Sequence, residues 1–267
     1  MTYSLAIASG KGGVGKTTLA VNLALSMKSN GERCILLDAD LGMANSHILL
    51  GINPQNTVAD VIENRKSLNE IITDAPLGLK FLSGGTGLTE MLNLDNTKRV
   101  ALIRSLDQVE NQFDHLLIDV GAGAEDSSLS MIEAADRVLV VLVSEPTSFM
   151  DAFALIKAAH LELGIKEFCI TFNMCKSEIE ARQNFEKFKR IVLQFYDLNL
   201  KYVGCIPQSP IIRQSITKRK PAVLDSNNQE IKRAFKTLYG NIIKSNVNQH
   251  GGIQFFSNSK IEKRVGT

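Results

Sequence analysis

A glycine-rich loop close to the N-terminus carries the residue types that bind phosphate. The sequence G-K-G-G-V-G-K-T-T contains the pattern G-x-x-x-x-G-K-[ST]. Glycines let the backbone turn tightly and point its N–H groups at phosphate oxygens. Lys16 is long enough to reach the β- and γ-phosphates of a nucleotide, and Thr17 offers a hydroxyl to Mg²⁺. The predicted phosphate-binding residues are Gly10, Lys11, Gly12, Gly13, Val14, Gly15, Lys16, Thr17 and Thr18.

A second chemical feature is a carboxylate at the end of an apolar run. Asp119 follows Leu117 and Ile118 directly, and Gly121 and Gly123 come shortly after it. Carboxylates at the C-terminal ends of parallel strands face the ligand crevice. Asp119 therefore fits an acidic residue that holds Mg²⁺, directly or through water. The glycines would let the backbone approach the terminal phosphate and move when it leaves.

These residues need a scaffold, and the sequence predicts one by alternating apolar runs with helical patterns. Nearly continuous apolar runs are typical of parallel strands that are buried on both faces. The alternation predicts an α/β doubly wound fold, in which helices cover both faces of a mainly parallel sheet. The predicted strands are residues 3–8, 34–37, 79–82, 115–119, 138–143, 168–172 and 202–206.

The composition excludes several classes of protein. Net charge is only +2, so no global field attracts nucleic acid or membrane. No apolar run approaches the roughly 20 residues of a membrane span, and the N-terminus lacks the features of a signal peptide. The four cysteines, Cys34, Cys169, Cys175 and Cys205, form no CxxC motif. We interpret them as core residues in a reducing cytosol.

Lys11 is the residue that an ordinary phosphate loop does not require. With it, the segment from Lys11 to Thr18 resembles the deviant Walker A motif of the MinD/ParA superfamily of P-loop ATPases. The resemblance implies one SIMIBI-type P-loop domain over residues 1–245, which binds ATP and Mg²⁺ and forms a homodimer with ATP. It also implies that Lys11 reaches the partner's nucleotide, a type of contact that contributes roughly 10³ to 10⁵ in rate.

The same resemblance assigns roles to two aspartates at the end of the second predicted strand. It implies that Asp40 positions the attacking water, as a catalytic residue beside Lys11 and Lys16. It also implies that Asp38 supports the magnesium site of Thr17 and Asp119. Without the resemblance, Asp38 and Asp40 could equally be turn-forming residues that follow a strand.

Base recognition is implied only by resemblance. The superfamily places an adenine-reading asparagine late in the sheet, which corresponds here to Asn173. Pro207 and Gln208 follow the next strand and resemble the adenine-side loop. An asparagine at such a position could also be a turn residue.

Further segments are similar to the FlhG/FleN branch, the flagellar number and placement ATPases. One is Val120-Gly121-Ala122-Gly123, where MinD proteins usually carry a proline, and another runs over residues 145–157. The branch implies that Glu145 and Asp151 lie at the dimer face, and we expect Glu145 to take part in nucleotide binding. Residues 145–148 also suit a simple helix start, with Pro146 in the first turn. Because the first predicted strand begins at Tyr3, we do not expect here the functions of the N-terminal extension that many FlhG proteins carry.

Together these features predict an ATP-dependent dimerising switch with slow hydrolysis that controls flagellar number and placement. By resemblance its partners are an FlhF-type GTPase and a FleQ-type transcription activator, and no specific nucleic acid is expected. The predicted location is the cytoplasm, with a hypothesis of peripheral binding to the inner face of the membrane when ATP is bound.

That hypothesis concerns residues 246–267, which we predict to be a polar joint followed by a short tail. Ile253 and Phe256 would share a helical face, but Phe255 falls roughly opposite, so the apolar stripe is poor. One tail would bind weakly, whereas two tails on one dimer would gain from effective concentration.

Three alternatives stay open at this point. A MinD-like regulator of the division site is the nearest. A ParA-type DNA partition ATPase would need a basic dimer surface, and only residues 218–220 are densely basic. A redox protein like the nitrogenase iron protein would need a cysteine near Asp119, and residues 121–130 contain none.

Overall fold

The computed structural model describes residues 2–40, 45–85, 96–248 and 252–256. Within these residues, eight strands form one sheet in the order β3-β4-β2-β5-β1-β6-β7-β8. The strands are β1 (Tyr3–Ser9), β2 (Cys34–Ala39), β3 (Thr73–Asp74), β4 (Lys80–Ser83), β5 (His115–Ala122), β6 (Arg137–Leu142), β7 (Glu167–Cys175) and β8 (Asn199–Pro207).

The predicted α/β fold is confirmed. Every pairing among the seven longer strands is parallel, and each of these strands overlaps a predicted one. Several strands extend past the predicted ends, as β2 does through Asp38 and Ala39 and β7 does through Asn173 to Cys175. The short strand β3 pairs antiparallel with β4 and was not predicted, since two residues carry no readable pattern.

Helices connect the strands and cover the sheet. In chain order they are α1 (Lys16–Ser29), α2 (Ser46–Leu50), α3 (Val58–Ile62), α4 (Leu68–Ile71), α5 (Asn96–Ser105), α6 (Asp126–Ala134), α7 (Pro146–Leu163), α8 (Glu178–Leu193), α9 (Pro210–Thr217) and α10 (Gln229–Ile242). Local chemistry sets their ends. The Ser177 hydroxyl accepts from the backbone N–H of Glu180 at the start of α8, and Gly164 takes a left-handed conformation after α7.

The sheet is buried on both faces, which explains its continuous apolar strands. Successive residues of one strand point to opposite sides. Ala6 packs into the core under one layer of helices, whereas Ile7 packs into the core on the other face. Both side chains are fully buried. This arrangement leaves the C-terminal edge of the sheet as the place where polar residues meet.

The described part of the tail packs against the domain, and the polar joint and short tail over residues 246–267 stay a prediction. Asn248 is buried, and its side chain bonds both backbone groups of Glu167. Phe255 and Phe256 are fully buried in the core, and the Phe255 N–H donates to the Ala134 carbonyl. The two phenylalanines contribute apolar burial that a free tail would lack. Residues 249–251 and 257–267 lie outside the described residues.

Among the helices of the described ranges, none is long and apolar enough to cross a membrane.

Candidate active site

The phosphate loop lies between β1 and α1, as its sequence predicts. Gly13 and Gly15 adopt positive φ angles of 81° and 80°, where other residues are strained. Space is a second constraint. A Cβ atom at Gly10 would lie 2.1 Å from the backbone of Asp151, and one at Gly15 would lie 2.4 Å from the Asn173 amide nitrogen. The loop therefore fits closely against β7 and α7.

Lys16 begins α1 and is buried beneath the loop. Its Nζ lies 2.6 Å from Asp119 Oδ1 and 3.7 Å from Asp40 Oδ2. Its side chain is only 6% exposed, and that of Asp119 is fully buried. In this structure Lys16 therefore neutralises a carboxylate that would otherwise be buried alone, which is costly.

Two buried carboxylates meet below the loop because β2 and β5 are neighbours. Asp38 and Asp119 are paired residues in the register of these strands, and both are fully buried. Burial, together with the charge of Asp119, raises the pKa of Asp38 to about 7. Hydrogen bonds from the backbone N–H groups of Ser46 (2.9 Å) and Asp40 (3.2 Å) act in the opposite direction.

Ser46 joins the two carboxylates, and it was not among the predicted site residues. Its backbone N–H donates to Asp38, and its hydroxyl donates to Asp119 Oδ2 at 3.2 Å. The signal that could have found it is its position, at the first turn of a helix one residue after Asn45. Residues 41–44, which follow Asp40, lie outside the described residues.

Lys11 occupies a different environment on the surface side of the loop. Its Nζ lies 2.9 Å from Glu145 Oε2 and 3.0 Å from the Thr147 hydroxyl. The Lys11 side chain is 29% exposed and that of Glu145 is 62% exposed. Glu145 precedes α7 in extended conformation, and Pro146 is the first residue of that helix. Residues 145–148 therefore form a helix start, as their sequence also suggested.

The predicted adenine-side residues lie at the ends of β7 and β8. The Asn173 amide donates to the carbonyl of Val14 at 2.8 Å, which ties β7 to the phosphate loop. The backbone N–H of Gln208 donates to the Cys175 carbonyl at 2.9 Å and ties the end of β8 to β7. Met174 has a positive φ of 56° and an exposed side chain.

One cavity of about 1010 Å³ runs along this edge from the phosphate loop to α9. The predicted residues on its wall are Lys11, Gly12, Gly13, Val14, Gly15, Lys16, Thr17, Thr18, Asp40, Asn173, Pro207 and Gln208. The predicted residues outside the wall are Gly10, Asp38, Asp119 and Glu145. Asp38 and Asp119 lie buried beneath it, and Glu145 meets the site through Lys11. Ser127, Ile212, Arg213 and Ile216 also line the cavity and were not predicted.

The donor set fits a magnesium nucleotide. Mg²⁺ prefers oxygen ligands and is usually held by one or two carboxylates together with phosphate oxygens. Thr17 lies on the wall, and Asp38 and Asp119 supply carboxylates below it. The volume and the glycine-lined phosphate end also suit a nucleotide.

Comparison with known proteins supports the assignment made from geometry. Residues 1–243 match the family model described as ParA, NUBPL iron-transfer P-loop NTPase. The chain is 37% identical over 254 residues to the antiactivator FleN of Pseudomonas aeruginosa, covering 94% of this chain and 91% of that protein. It is 29% identical over 220 residues to the flagellum site-determining protein YlxH of Helicobacter pylori, covering 82% and 74% of the two chains.

Solved structures agree in fold. The MinD cell division ATPase of Pyrococcus furiosus superposes with a TM-score of 0.75 at 25% identity, covering 91% of this chain and 99% of that one. The MinC:MinD cell division complex of Aquifex aeolicus gives a TM-score of 0.76 at 23% identity, with 94% and 100% coverage. The chain therefore belongs to the MinD/ParA family of deviant Walker A P-loop ATPases, on its FlhG/FleN branch.

Proposed function

We propose that this ATPase is an ATP-dependent dimerising switch that controls flagellar number and placement. The observation that carries the proposal is the 37% identity to an antiactivator over nearly the whole chain. The intact site supports it, because the phosphate loop, the paired carboxylates and the base-side residues meet along one edge of the sheet.

The residues of this chain divide the chemistry among them. The loop backbone and Lys16 bind the phosphates of ATP, which is the substrate, and Asp40 orients the water that attacks the γ-phosphate. Mg²⁺, which Thr17, Asp38 and Asp119 would hold, supplies charge neutralisation on the transferring phosphoryl group. Asn173, Pro207 and Gln208 hold the adenine side.

Lys11 is suited to act on the second subunit. Its ion pair with Glu145 is exposed, and exposed pairs contribute about 1 kcal/mol or less. Lys11 would therefore lose little free energy on leaving Glu145 to bind the more strongly charged phosphate of a partner's ATP. We propose that two subunits close face to face in ATP, and that hydrolysis separates them.

The proposed partners and location follow from the same similarity to FleN. We propose a FleQ-type transcription activator and an FlhF-type GTPase as partners, and a cytoplasmic protein that reaches the inner membrane face as an ATP-bound dimer. Membrane contact through the tail would need a rearrangement, since Phe255 and Phe256 lie in the core. Within residues 252–256, Ile253 is 40% exposed and could contact a membrane without such a rearrangement.

The deciding experiment is deletion of the gene, followed by counting flagella per cell and measuring cell length. Extra or misplaced flagella on cells of normal length would support the proposal. Normal flagella with minicells or filaments would overturn it in favour of division-site control. Salt-dependent DNA binding by the ATP-bound protein would instead favour the DNA partition alternative.

A further inference from the structure

Ser46 divides its two donor groups between two buried carboxylates. Its hydroxyl donates to Asp119 Oδ2 at 3.2 Å, and its backbone N–H donates to Asp38 Oδ2 at 2.9 Å. All three residues are fully buried. Loss of either hydrogen bond would therefore leave a carboxylate oxygen where water cannot readily take the place of the donor.

The other oxygen of each carboxylate has a different partner. Lys16 Nζ lies 2.6 Å from Asp119 Oδ1, and the backbone N–H of Asp40 donates to Asp38 Oδ1 at 3.2 Å. Asp119 thus links Ser46 to the lysine of the phosphate loop. Asp38 links Ser46 to the backbone of Asp40 in the same way.

Binding of ATP changes the partners of Asp119. In the proposed function Lys16 binds the phosphates of ATP, so Lys16 gives up or shares its contact with Asp119 Oδ1. In the described part of the chain, the Ser46 hydroxyl is then the partner that Asp119 keeps. Hydrogen bonds of this kind orient the acidic residues of a metal site, and their loss lowers metal affinity.

We propose that Ser46 is a positioning residue whose hydroxyl fixes the orientation of Asp119 for Mg²⁺ once Lys16 has moved to the phosphates. The inference rests on the proposed binding of Mg-ATP at this site. The backbone N–H of Ser46 holds Asp38 as well, so both carboxylates keep a common anchor when the cation leaves. Loss of the hydroxyl should therefore weaken the part of nucleotide binding that depends on Mg²⁺ and spare the part that the loop backbone provides.

Ser4 offers a matched control at the end of β1 opposite the phosphate loop. Its hydroxyl donates to Asp136 Oδ2 at 2.9 Å, and both residues are almost fully buried. Removal of the hydroxyl from Ser4 or from Ser46 therefore takes one hydrogen bond from a buried carboxylate. Of the two serines, Ser46 alone contacts the proposed magnesium residues, so a general loss of stability would appear in both variants.

The test measures the affinity of the full chain for a fluorescent ATP analogue in excess Mg²⁺ and in EDTA. The ratio of the two dissociation constants reports how much the metal strengthens binding. In Ser46→Ala this ratio should fall by about tenfold, the lower end of the range for partners of metal ligands, while the affinity in EDTA stays at that of wild type. Ser4→Ala should keep the wild-type ratio. Ser46→Cys is similar in shape to wild type but has a weaker donor, so it should lower the ratio in the same direction.

Two results would overturn the proposal. One is an unchanged ratio in folded Ser46→Ala protein, or in Ser46→Cys where Ser46→Ala does not fold. The other is an equal loss of affinity in Mg²⁺ and in EDTA, since that is a general disturbance of the site. Wild-type protein with the same affinity in both solutions would refute the magnesium site of the proposed function, whereas an effect missing only from the Ser46 variants would refute this inference alone.

Discussion

Two lysines of one loop lie in opposite environments. Lys16 is buried and held by Asp119 at 2.6 Å, whereas Lys11 lies at the surface and pairs with the exposed Glu145 at 2.9 Å. Both distances are those of strong ion pairs, so distance does not separate the two lysines. Their burial distinguishes them. Water cannot replace a lost partner at the buried pair of Lys16 and Asp119, whereas it can at the exposed pair of Lys11 and Glu145.

This contrast indicates how one loop can serve two subunits. A buried cation is committed to its own site, since moving it would leave a carboxylate unpaired. An exposed cation can exchange partners at low cost. Lys16 is therefore expected to support both folding and binding, and Lys11 to support hydrolysis alone. The following predictions test that division, in order of decreasing effect.

The largest effect is expected for Lys11→Ala. If Lys11 completes the partner's site, ATP hydrolysis at dimer-forming protein concentration should fall by roughly 10³ to 10⁵, the range for a cation supplied in trans. Mixing the variant with an excess of Asp40→Ala protein should restore part of the activity, because mixed dimers contain one site with both residues. Unchanged hydrolysis at all protein concentrations would show that Lys11 is a solvated loop residue.

Asp40→Ala should slow hydrolysis by roughly 10² to 10⁴, the usual loss when a catalytic acid or base is removed. Binding should persist, since Lys16 and the loop are intact. The variant should therefore accumulate as a dimer in saturating Mg-ATP on size exclusion, whereas Lys16→Ala should elute as a monomer. A monomeric Asp40→Ala protein under these conditions would contradict the role assigned to Asp40.

Lys16→Ala should lower the free energy of unfolding by about 3–5 kcal/mol without nucleotide, as expected when a buried ion pair loses one partner. The carboxylate of Asp119 would then lie buried beside Asp38 with no cation. Urea denaturation measures the loss, and Lys11→Ala is the matched control from the same loop. A loss below about 1 kcal/mol would mean that Lys16 contributes no more to folding than an exposed pair.

Local patterns predicted most of this site, and through-space contacts supplied the rest. The phosphate loop is continuous in sequence, and Asp119 ends an apolar strand, so both were readable. Ser46 was not, because its link to Asp38 and Asp119 exists only once β2 and β5 are adjacent. The burial of the Phe255 side chain was not predicted for the same reason. It follows a polar segment, and its hydrogen bond to the Ala134 carbonyl forms only in the folded chain.

The smallest effect is expected for Glu145→Gln. The pair with Lys11 is exposed, so its loss should change the free energy of unfolding by less than about 1 kcal/mol. Thr147 still accepts from Lys11 at 3.0 Å, and the amide oxygen of the new side chain can do so as well. Urea denaturation beside wild type measures the change, and Thr147→Val removes the other contact as a control. If the free energy of unfolding fell by about 3 kcal/mol or more, the pair of Lys11 and Glu145 would be as strong as a buried ion pair. Moving Lys11 from Glu145 to the partner's ATP would then be too costly.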